Sequence, residues 1–223
     1  MIIVHHLEKS RSHRALWTLE ELGLDYEVKL YRRDPETSLA PETLKTVHPL
    51  GKAPIVEVDG VVYAETAAII ETLIDRHGNG KLRPAPGSPA FDAYRFWLHY
   101  SEGSAMPPLL LALVLNKMET AKMPFFAKPI AKKIAGGVRD AFVGPQLALH
   151  FQFIEDALET DPWFTGADFS AADIMMSFPL QGFLSRAGKP ADYPNIAAFC
   201  ERIKARPAYK AAEERGGRLE ALS

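Results

Sequence analysis

The stretch APIVEVDGVVYAETAAIIETLIDRHG, Ala53–Gly78, holds two strand patterns, a turn and a helix pattern without interruption. Its strand segments, PIVEV and VVYA, flank Asp59-Gly60, a dipeptide that favours a two-residue hairpin turn. The remainder carries apolar residues at helical spacing from Thr66 to His77, and the glycine that follows is a natural end for that helix. The segment therefore predicts a β-hairpin that runs directly into a helix.

Alternating strand and helix patterns also occupy the residues before this stretch. A short β-branched run, Ile2–His5, predicts a first strand, and alternation over Tyr26–Tyr31 predicts a second. Between them apolar residues recur at helical spacing and stop at Gly23. With a short helical piece near PETLKTV, the predicted order over residues 1–78 is βαβαββα.

A Gly- and Pro-rich segment, Gly78–Pro89, follows and has the composition of a linker. Beyond it only helical patterns remain; Pro107-Pro108 predicts a bend or interruption, and Gly136-Gly137 and Gly144-Pro145 predict weak points in a long helix. The predicted fold class is α/β plus all-α. It consists of a thioredoxin-like domain over residues 1–78, a linker over 79–89 and an all-helical domain over 90–223.

Bulk composition is that of a globular protein in water, since 47% of the 223 residues are hydrophobic and 24% are charged. The formal net charge of −2 and the lack of a long basic run give no reason to expect nucleic acid or an anionic membrane as a partner. The N-terminal residues MIIVHH lack the apolar core of a signal peptide, and no apolar span is long enough to cross a membrane. We therefore expect a cytoplasmic protein.

Cysteine and histidine usage argues against two kinds of site. Cys200 is alone, which excludes an intramolecular disulfide and a Cys-x-x-Cys redox pair, and its apolar surroundings indicate a core residue. The seven histidines lack the spacing of metal ligands, and the adjacent His5 and His6 point to opposite faces of a strand. We expect no metal.

Pro54 stands directly before a predicted strand, where it cannot donate a hydrogen bond to a neighbouring strand. A cis Ala53-Pro54 bond would re-aim the chain and expose the backbone groups of Ala53, which could then pair with an extended peptide. The alternative is a trans proline that opens an edge strand. The local sequence by itself favours this alternative, because cis prolines are a minority.

Glu65 and Thr66 lie where the second hairpin strand meets the helix, and Thr66 is a candidate N-cap. The start of a helix favours a bound carboxylate, and the Glu65 side chain beside it suits an ammonium group. The pair would thus recognise an α-amino acid moiety, with Lys52 available for a second carboxylate on the same ligand. An ordinary cap beside a solvated glutamate is the alternative.

Four separated motifs, SRSHRALWTLEELGLDYEV, HPLGKAPIVEVDG, AETAAIIETL and FTGADFSAADI, occur in the order and near the spacing of the soluble, cytosolic glutathione S-transferase superfamily. The resemblance covers nearly the whole chain, including its helical half. The segments around SRSHR and FWLHYSEGSAMP are most similar to a bacterial and fungal subgroup that uses a serine at the first helix.

This resemblance implies a function and a ligand. The chain would be a cytoplasmic, homodimeric glutathione transferase that conjugates the thiolate of glutathione to small, mostly apolar electrophiles, as in detoxification. Ala53-Pro54 would be cis, with Ala53 backbone atoms paired to the cysteinyl part. Glu65 and Thr66 would hold the γ-glutamyl end, and Lys52 would meet the glycyl carboxylate. Glutathione-dependent peroxide or disulfide reduction, and a non-enzymatic role in protein interaction, are the alternatives.

Ser10 is the candidate catalytic residue by this resemblance. The glutathione thiol is similar to a free cysteine, with a pKa of about 8.5, so about 3% is thiolate at pH 7 and a hydroxyl that donates to sulfur would raise this fraction. Other members carry a tyrosine near the first strand or a cysteine by the first helix, and this chain has neither. Ser12 is interpreted as a helix N-cap; Ser12 itself, Arg11 and backbone N–H groups remain alternatives for stabilising the thiolate.

Two further patterns concern the helical half. Ser170 and Asp173 have the spacing of a capping box, which is a device of folding. An aromatic set could line an apolar pocket beside Ser10, although core packing accounts for each member equally well; the set is Trp97, Tyr100, Phe125 and Phe126.

Overall fold

A computed structural model describes residues 1–219, so the end of the predicted helical domain, residues 220–223, lies outside the described residues. The strands are β1 (Ile2–Leu7), β2 (Glu27–Tyr31), β3 (Ile55–Val58) and β4 (Val61–Ala64). They form a sheet in the order β2-β1-β3-β4, in which β1 and β2 are parallel and the other two pairs are antiparallel. Every strand that the sequence predicts is present.

Turn chemistry explains the hairpin between β3 and β4. Asp59 and Gly60 have φ of +52° and +82°, the left-handed pair that a two-residue turn between twisted strands requires. The helix α2 (Thr66–His77) follows β4 almost at once, over the predicted range.

The first helix, α1 (His13–Leu22), ends at Gly23, whose φ of +70° lets its N–H group reach the last carbonyls of the helix. A 3₁₀ helix, Glu42–Thr46, stands where the sequence predicts a short helical piece. The order of elements in this half is the predicted βαβαββα, and the predicted fold class is confirmed.

The second half is helical, and its element bounds are as follows: α3 (Pro89–Tyr100), α4 (Met106–Thr120), α5 (Lys128–Val138), α6 (Gly144–Ala157), α7 (Ala171–Arg186), α8 (Pro194–Ala205) and α9 (Pro207–Gly216).

The prolines and glycines that the sequence marks as bends or weak points do not break the helices of this half. Pro107-Pro108 lie in the first turn of α4, where a missing N–H group costs no hydrogen bond. A π-helical turn, Ser101–Ala105, joins α3 to α4, and a second, Arg139–Val143, joins α5 to α6. The predicted interruption is therefore a local change of helix type.

The helix α7 joins the two halves of the molecule. Its residues Ala171–Phe183 are all buried, and α1 packs against α7 as well as against α2 and α9. Trp17 of α1 is fully buried, with its ring 5.5 Å from the ring of Phe169 and 5.0 Å from that of Tyr209. The core thus fixes the position of α1 and of the residues just before it.

The predicted capping box at the start of α7 is confirmed. Asp173 accepts from the backbone N–H group of Ser170 at 2.8 Å and from its hydroxyl at 3.1 Å. Together these contacts fix the first turn of the helix that carries the core.

Cys200 is 2% exposed within α8, and burial raises the pKa of its thiol to about 12. Residues 1–219 contain no group of three metal-ligating side chains. None of the helices in that range is both long and apolar enough to cross a bilayer.

Candidate functional site

A cavity of about 470 Å³ lies between the start of α1, the loop before β3, the start of α2 and the facing helices α4 and α7. The six residues that the sequence analysis singles out all border it; they are Ser10, Lys52, Ala53, Pro54, Glu65 and Thr66. His48 borders it too. Residues far apart in sequence therefore meet around one space of ligand size.

The Ala53-Pro54 peptide bond is cis, as the resemblance implies and against what the local sequence favours. Pro54 is buried directly before β3, and Ala53 is partly exposed to the cavity. Lys52 is an exposed side chain on the same rim. The backbone of this loop and a cation are therefore both open to a ligand.

Glu65 takes the N-cap position of α2, and the prediction that Thr66 is the N-cap is wrong. Thr66 is the first helical residue, and Glu65 has φ of +69°, a left-handed conformation that a non-glycine residue rarely adopts. No side chain caps this helix, so its first N–H groups are left for a ligand. Together with the helix dipole, they favour an anion in the cavity.

Arg14, a residue of α1, donates a hydrogen bond to the hydroxyl of Thr66. Its Nη2 donates to Thr66 Oγ1 at 3.3 Å, and its Nη1 donates to the carbonyl of Met175 at 2.9 Å. Because Thr66 Oγ1 already accepts from Arg14, its own hydrogen is free to donate to an acceptor in the cavity. Thr66 is 4% exposed and borders the cavity.

The charge of Arg14 is balanced by Glu102, which borders the cavity. Arg14 is fully buried and donates to the Glu102 carboxylate; Arg11 lies 3.4 Å from the same carboxylate. Burial acts to raise the pKa of Glu102, but Arg14 and Arg11 outweigh it and hold the pKa below its ordinary value. Glu102 is therefore a counter-ion of the site, ionised at neutral pH.

Ser10 and Ser12 share a hydrogen-bonded cluster beneath the cavity. Ser10 Oγ accepts from the N–H group of Ser12 at 3.1 Å and lies 2.7 Å from Ser12 Oγ. Ser12 Oγ in turn lies 2.8 Å from His6 Nδ1 and accepts from the N–H group of Leu7 at 3.2 Å. Ser10 borders the cavity, whereas Ser12 is fully buried behind it.

The direction of these hydrogen bonds follows from His6. Burial lowers the pKa of His6, so its ring is neutral at physiological pH, and Nε2 faces the carbonyl of Gly216 at 2.8 Å. Nε2 therefore carries the hydrogen, and Nδ1 is an acceptor that faces the hydroxyl of Ser12. The single hydrogen of the Ser12 hydroxyl is directed to His6 Nδ1 or to the carbonyl of Leu7 at 3.1 Å, so the Ser10 hydroxyl donates to Ser12.

The interpretation of Ser12 as a cap needs a correction. Ser12 occupies the N-cap position of α1, but its side chain accepts from no helical N–H group. Its hydroxyl forms hydrogen bonds with His6, Leu7 and Ser10 instead. Sequence spacing could not reveal this, because His6 reaches Ser12 from the neighbouring strand.

The helical half supplies a cavity wall that the aromatic residues expected there do not form. Trp97 is buried in the core, Tyr100 borders a different groove, and Phe125 and Phe126 are 85% and 66% exposed. The wall consists of Met106, Leu109, Leu110 and Leu113 from α4 and Phe178, Gly182 and Arg186 from α7. The spacing of four between the α7 members is the sequence signal that could have identified them.

Two family models match the chain: "Glutathione S-transferase, N-terminal domain" over residues 10–76 and "Glutathione S-transferase, C-terminal domain" over residues 141–207. Glutathione S-transferase 3 of Schizosaccharomyces pombe is 36% identical over 96% of this chain and 88% of its own length. Glutathione S-transferase 1 of Saccharomyces cerevisiae is 32% identical over 98% of this chain and 97% of its own. A glutathione S-transferase structure from Actinobacillus pleuropneumoniae is similar with a TM-score of 0.84 at 39% identity, covering 100% of this chain and 97% of that one.

Proposed function

The chain belongs to the glutathione S-transferase family, and from this premise we propose that it binds glutathione beside Ser10 and conjugates its thiolate to an electrophile held against α4 and α7. The observation that carries the proposal is the single cavity bordered by Ser10, the cis Ala53-Pro54 bond and the uncapped start of α2. The Ser10 hydroxyl suits a thiolate, the backbone at the cis Ala53-Pro54 bond suits a peptide, and the start of α2 suits a carboxylate.

Glutathione would lie across the cavity with each end held by a different element. Thr66 and the first N–H groups of α2 would bind the γ-glutamyl carboxylate, and Glu65 would bind the ammonium group. The backbone of Ala53, before Pro54, would pair with the cysteinyl part as an added strand does. Lys52 would meet the glycyl carboxylate.

Ser10 would stabilise the thiolate by turning its hydroxyl hydrogen from Ser12 toward the sulfur. This rotation of the hydroxyl breaks a neutral hydrogen bond to Ser12 worth about 1 kcal/mol and forms a charge-assisted hydrogen bond to the thiolate worth about 1.5–3 kcal/mol. Ser10 Oγ keeps the hydrogen bond from the N–H group of Ser12 throughout, so the oxygen does not move. The net gain of about 0.5–2 kcal/mol lowers the pKa of the thiol from about 8.5 to between about 8 and 7. No general base is required.

The finer assignments rest on the same premise. We place the chain in the serine-type bacterial and fungal subgroup, as a cytoplasmic homodimer that acts on small electrophiles in detoxification. Its glutathione domain would be residues 1–78 and its electrophile domain residues 90–223, joined by a linker over 79–89. What supports this division is that the glutathione contacts precede α3 and the apolar wall follows it.

The test compares Ser10→Ala with Ser12→Ala. The ultraviolet absorbance of the thiolate in the enzyme–glutathione complex, followed against pH, gives the pKa of the bound thiol. We expect Ser10→Ala to raise that pKa by about 0.5–1.5 units, with a matching loss of activity at neutral pH. Ser12→Ala should lower the melting temperature but leave the thiol ionised. In that variant the Ser10 hydroxyl no longer donates to Ser12, so it can donate to the sulfur without breaking a hydrogen bond to the protein.

Unchanged thiol ionisation in Ser10→Ala would contradict the role of Ser10. Failure of the wild-type protein to bind glutathione, measured by calorimetry, would contradict the proposed function as a whole.

A further inference from the structure

The apolar wall of the cavity ends at a cation. Phe178, Gly182 and Arg186 follow one another at spacings of four on α7, so the guanidinium of Arg186 lies one turn beyond the last apolar contact. The leucines of α4 border the same cavity. A molecule lying on the wall would therefore meet a hydrocarbon surface along its length and a positive charge at its end.

Arg186 has no partner in the part of the chain that the structure describes. Its guanidinium donates to no carbonyl at the end of α7 and faces no carboxylate, although the residue is half-buried. Because Arg186 is half-buried, water is partly removed from its charge, and this burial lowers the pKa of Arg186. An arginine keeps its charge under such conditions, so the group is desolvated without compensation.

Other arginines that border the cavity are already engaged. Arg33 donates to the carbonyls of Lys9 and Ser38, and Arg11 lies 3.4 Å from the carboxylate of Glu102. A structural role would give Arg186 a similar partner. Its position on the cavity and its unused donors indicate a ligand instead.

Glutathione does not account for Arg186, given the binding mode proposed above. Glutathione carries two carboxylates and one ammonium group, and Thr66, Lys52 and Glu65 are assigned to them. The inference rests on that proposed function. What is left for Arg186 is the second substrate.

We propose that the electrophile carries an anionic group, such as a carboxylate, on an apolar body, and that Arg186 determines this specificity. The body would lie against Phe178 and the α4 leucines, and the carboxylate would accept two parallel hydrogen bonds from the guanidinium. With an aryl chloride, the thiolate sulfur attacks the carbon that bears chlorine. A carbon–sulfur bond forms, the carbon–chlorine bond breaks, and chloride leaves with the electron pair.

The experiment uses two electrophiles that differ in charge, 4-chloro-3,5-dinitrobenzoate and its methyl ester. Each kcat/KM is divided by the rate of the uncatalysed reaction with glutathione, which removes the difference in intrinsic reactivity. We expect Arg186→Gln to lower the value for the acid about tenfold or more and to leave the ester within about twofold. Arg186→Lys should recover part of the loss, since it keeps the charge without the planar fork.

The matched control is Lys189→Gln. Lys189 is an exposed cation just beyond the same helix end and does not border the cavity, so it reports the loss of one positive charge without loss of the contact. We expect the corrected kcat/KM of this variant to equal that of the wild type for both electrophiles. An equal loss for acid and ester in Arg186→Gln, or no loss for either, would overturn the proposal.

A binding measurement keeps the inference separate from catalysis. Calorimetry of 3,5-dinitrobenzoate, which has no leaving group, with the enzyme saturated by S-methylglutathione should give a Kd at least tenfold weaker in Arg186→Gln than in wild type. Identical Kd values would also overturn it. If wild type turned over neither electrophile, the proposed conjugating function would fail, whereas the binding experiment would still decide the role of Arg186.

Discussion

Ser10 and Ser12 are chemically identical and two residues apart, yet the fold gives their hydroxyls different surroundings. Ser12 is fully buried among His6, Leu7 and Ser10, whereas Ser10 borders the cavity. The difference arises because β1 places His6 behind the start of α1, and the neutral ring then faces the hydroxyl of Ser12. At the scale of the residue, the position of Ser10 on the cavity and the direction of its hydrogen bond favour Ser10 over Ser12 for the proposed contact with the thiolate.

His13 gives a pH prediction at the same scale. It is 1% exposed, neither ring nitrogen has a hydrogen-bond partner, and its ring lies 4.7 Å from that of Tyr209. Burial, followed by electrostatic interaction with His6 and Arg14, lowers the pKa of His13 to about 3. Between its pKa in the unfolded chain, about 6.5, and this value, the unfolded chain binds the additional proton.

We therefore expect the stability of the protein to fall as the pH is lowered from about 6.5 toward 3. At about pH 4.5 the His13 contribution amounts to about 2–3 kcal/mol relative to pH 7. Urea unfolding at both pH values, on wild type and His13→Phe, measures it. The variant should lose less stability on acidification than the wild type; equal losses would show that His13 does not titrate with unfolding.

Arg14 gives a prediction at the scale of the element, because it connects three helices. From α1 it contacts Thr66 at the start of α2 and the carbonyl of Met175 in α7, and it neutralises Glu102. Removing one partner of a buried ion pair leaves the other charge uncompensated. The same change also removes the hydrogen bond from Arg14 to Thr66.

We expect Arg14→Met to lower the free energy of unfolding by about 3–5 kcal/mol and to raise the KM for glutathione. Arg83→Met is the control, since Arg83 pairs with Asp75 near the surface and its loss should cost about 1 kcal/mol or less. Denaturant titration and steady-state kinetics measure both effects. Equal stability losses in the two variants would refute the connecting role of Arg14.

The oligomeric state belongs to the scale of the whole molecule. Phe96 of α3 and Phe153 of α6 are 48% and 45% exposed, with ring centroids 6.0 Å apart. Leu149, on the same helix as Phe153, is also exposed. An exposed apolar patch of this kind favours a self-complementary contact about a two-fold axis.

We expect the wild type to sediment as a dimer and Phe96→Asp to shift it toward the monomer, because a charge placed in an apolar contact is left unpaired. Phe125→Asp is the control, since Phe125 is 85% exposed on a different segment. Sedimentation velocity at several concentrations distinguishes the two variants. A monomeric wild type would contradict the proposed dimer, and a dimeric Phe96→Asp would place its interface elsewhere.

The sequence by itself determined the elements, because turn chemistry and apolar spacing act between residues that are close along the chain. Asp59-Gly60, Gly23 and the capping box of Ser170 and Asp173 each specify a local conformation that the fold keeps. Motif order also identified the family, and with it the residues to be placed around glutathione.

The tertiary structure alone decided what surrounds those residues. Arg14 supports Thr66 across 52 residues of sequence. His6 and Ser12 are only six residues apart, but their contact depends on how β1 and α1 pack. Arg186 lies at the end of a wall that α4 and α7 form together, without a partner among residues 1–219. The aromatic residues considered as candidates for the cavity lie elsewhere for the same reason. The identity of a side chain is local, but its partners, burial and charge balance depend on which elements the core brings together.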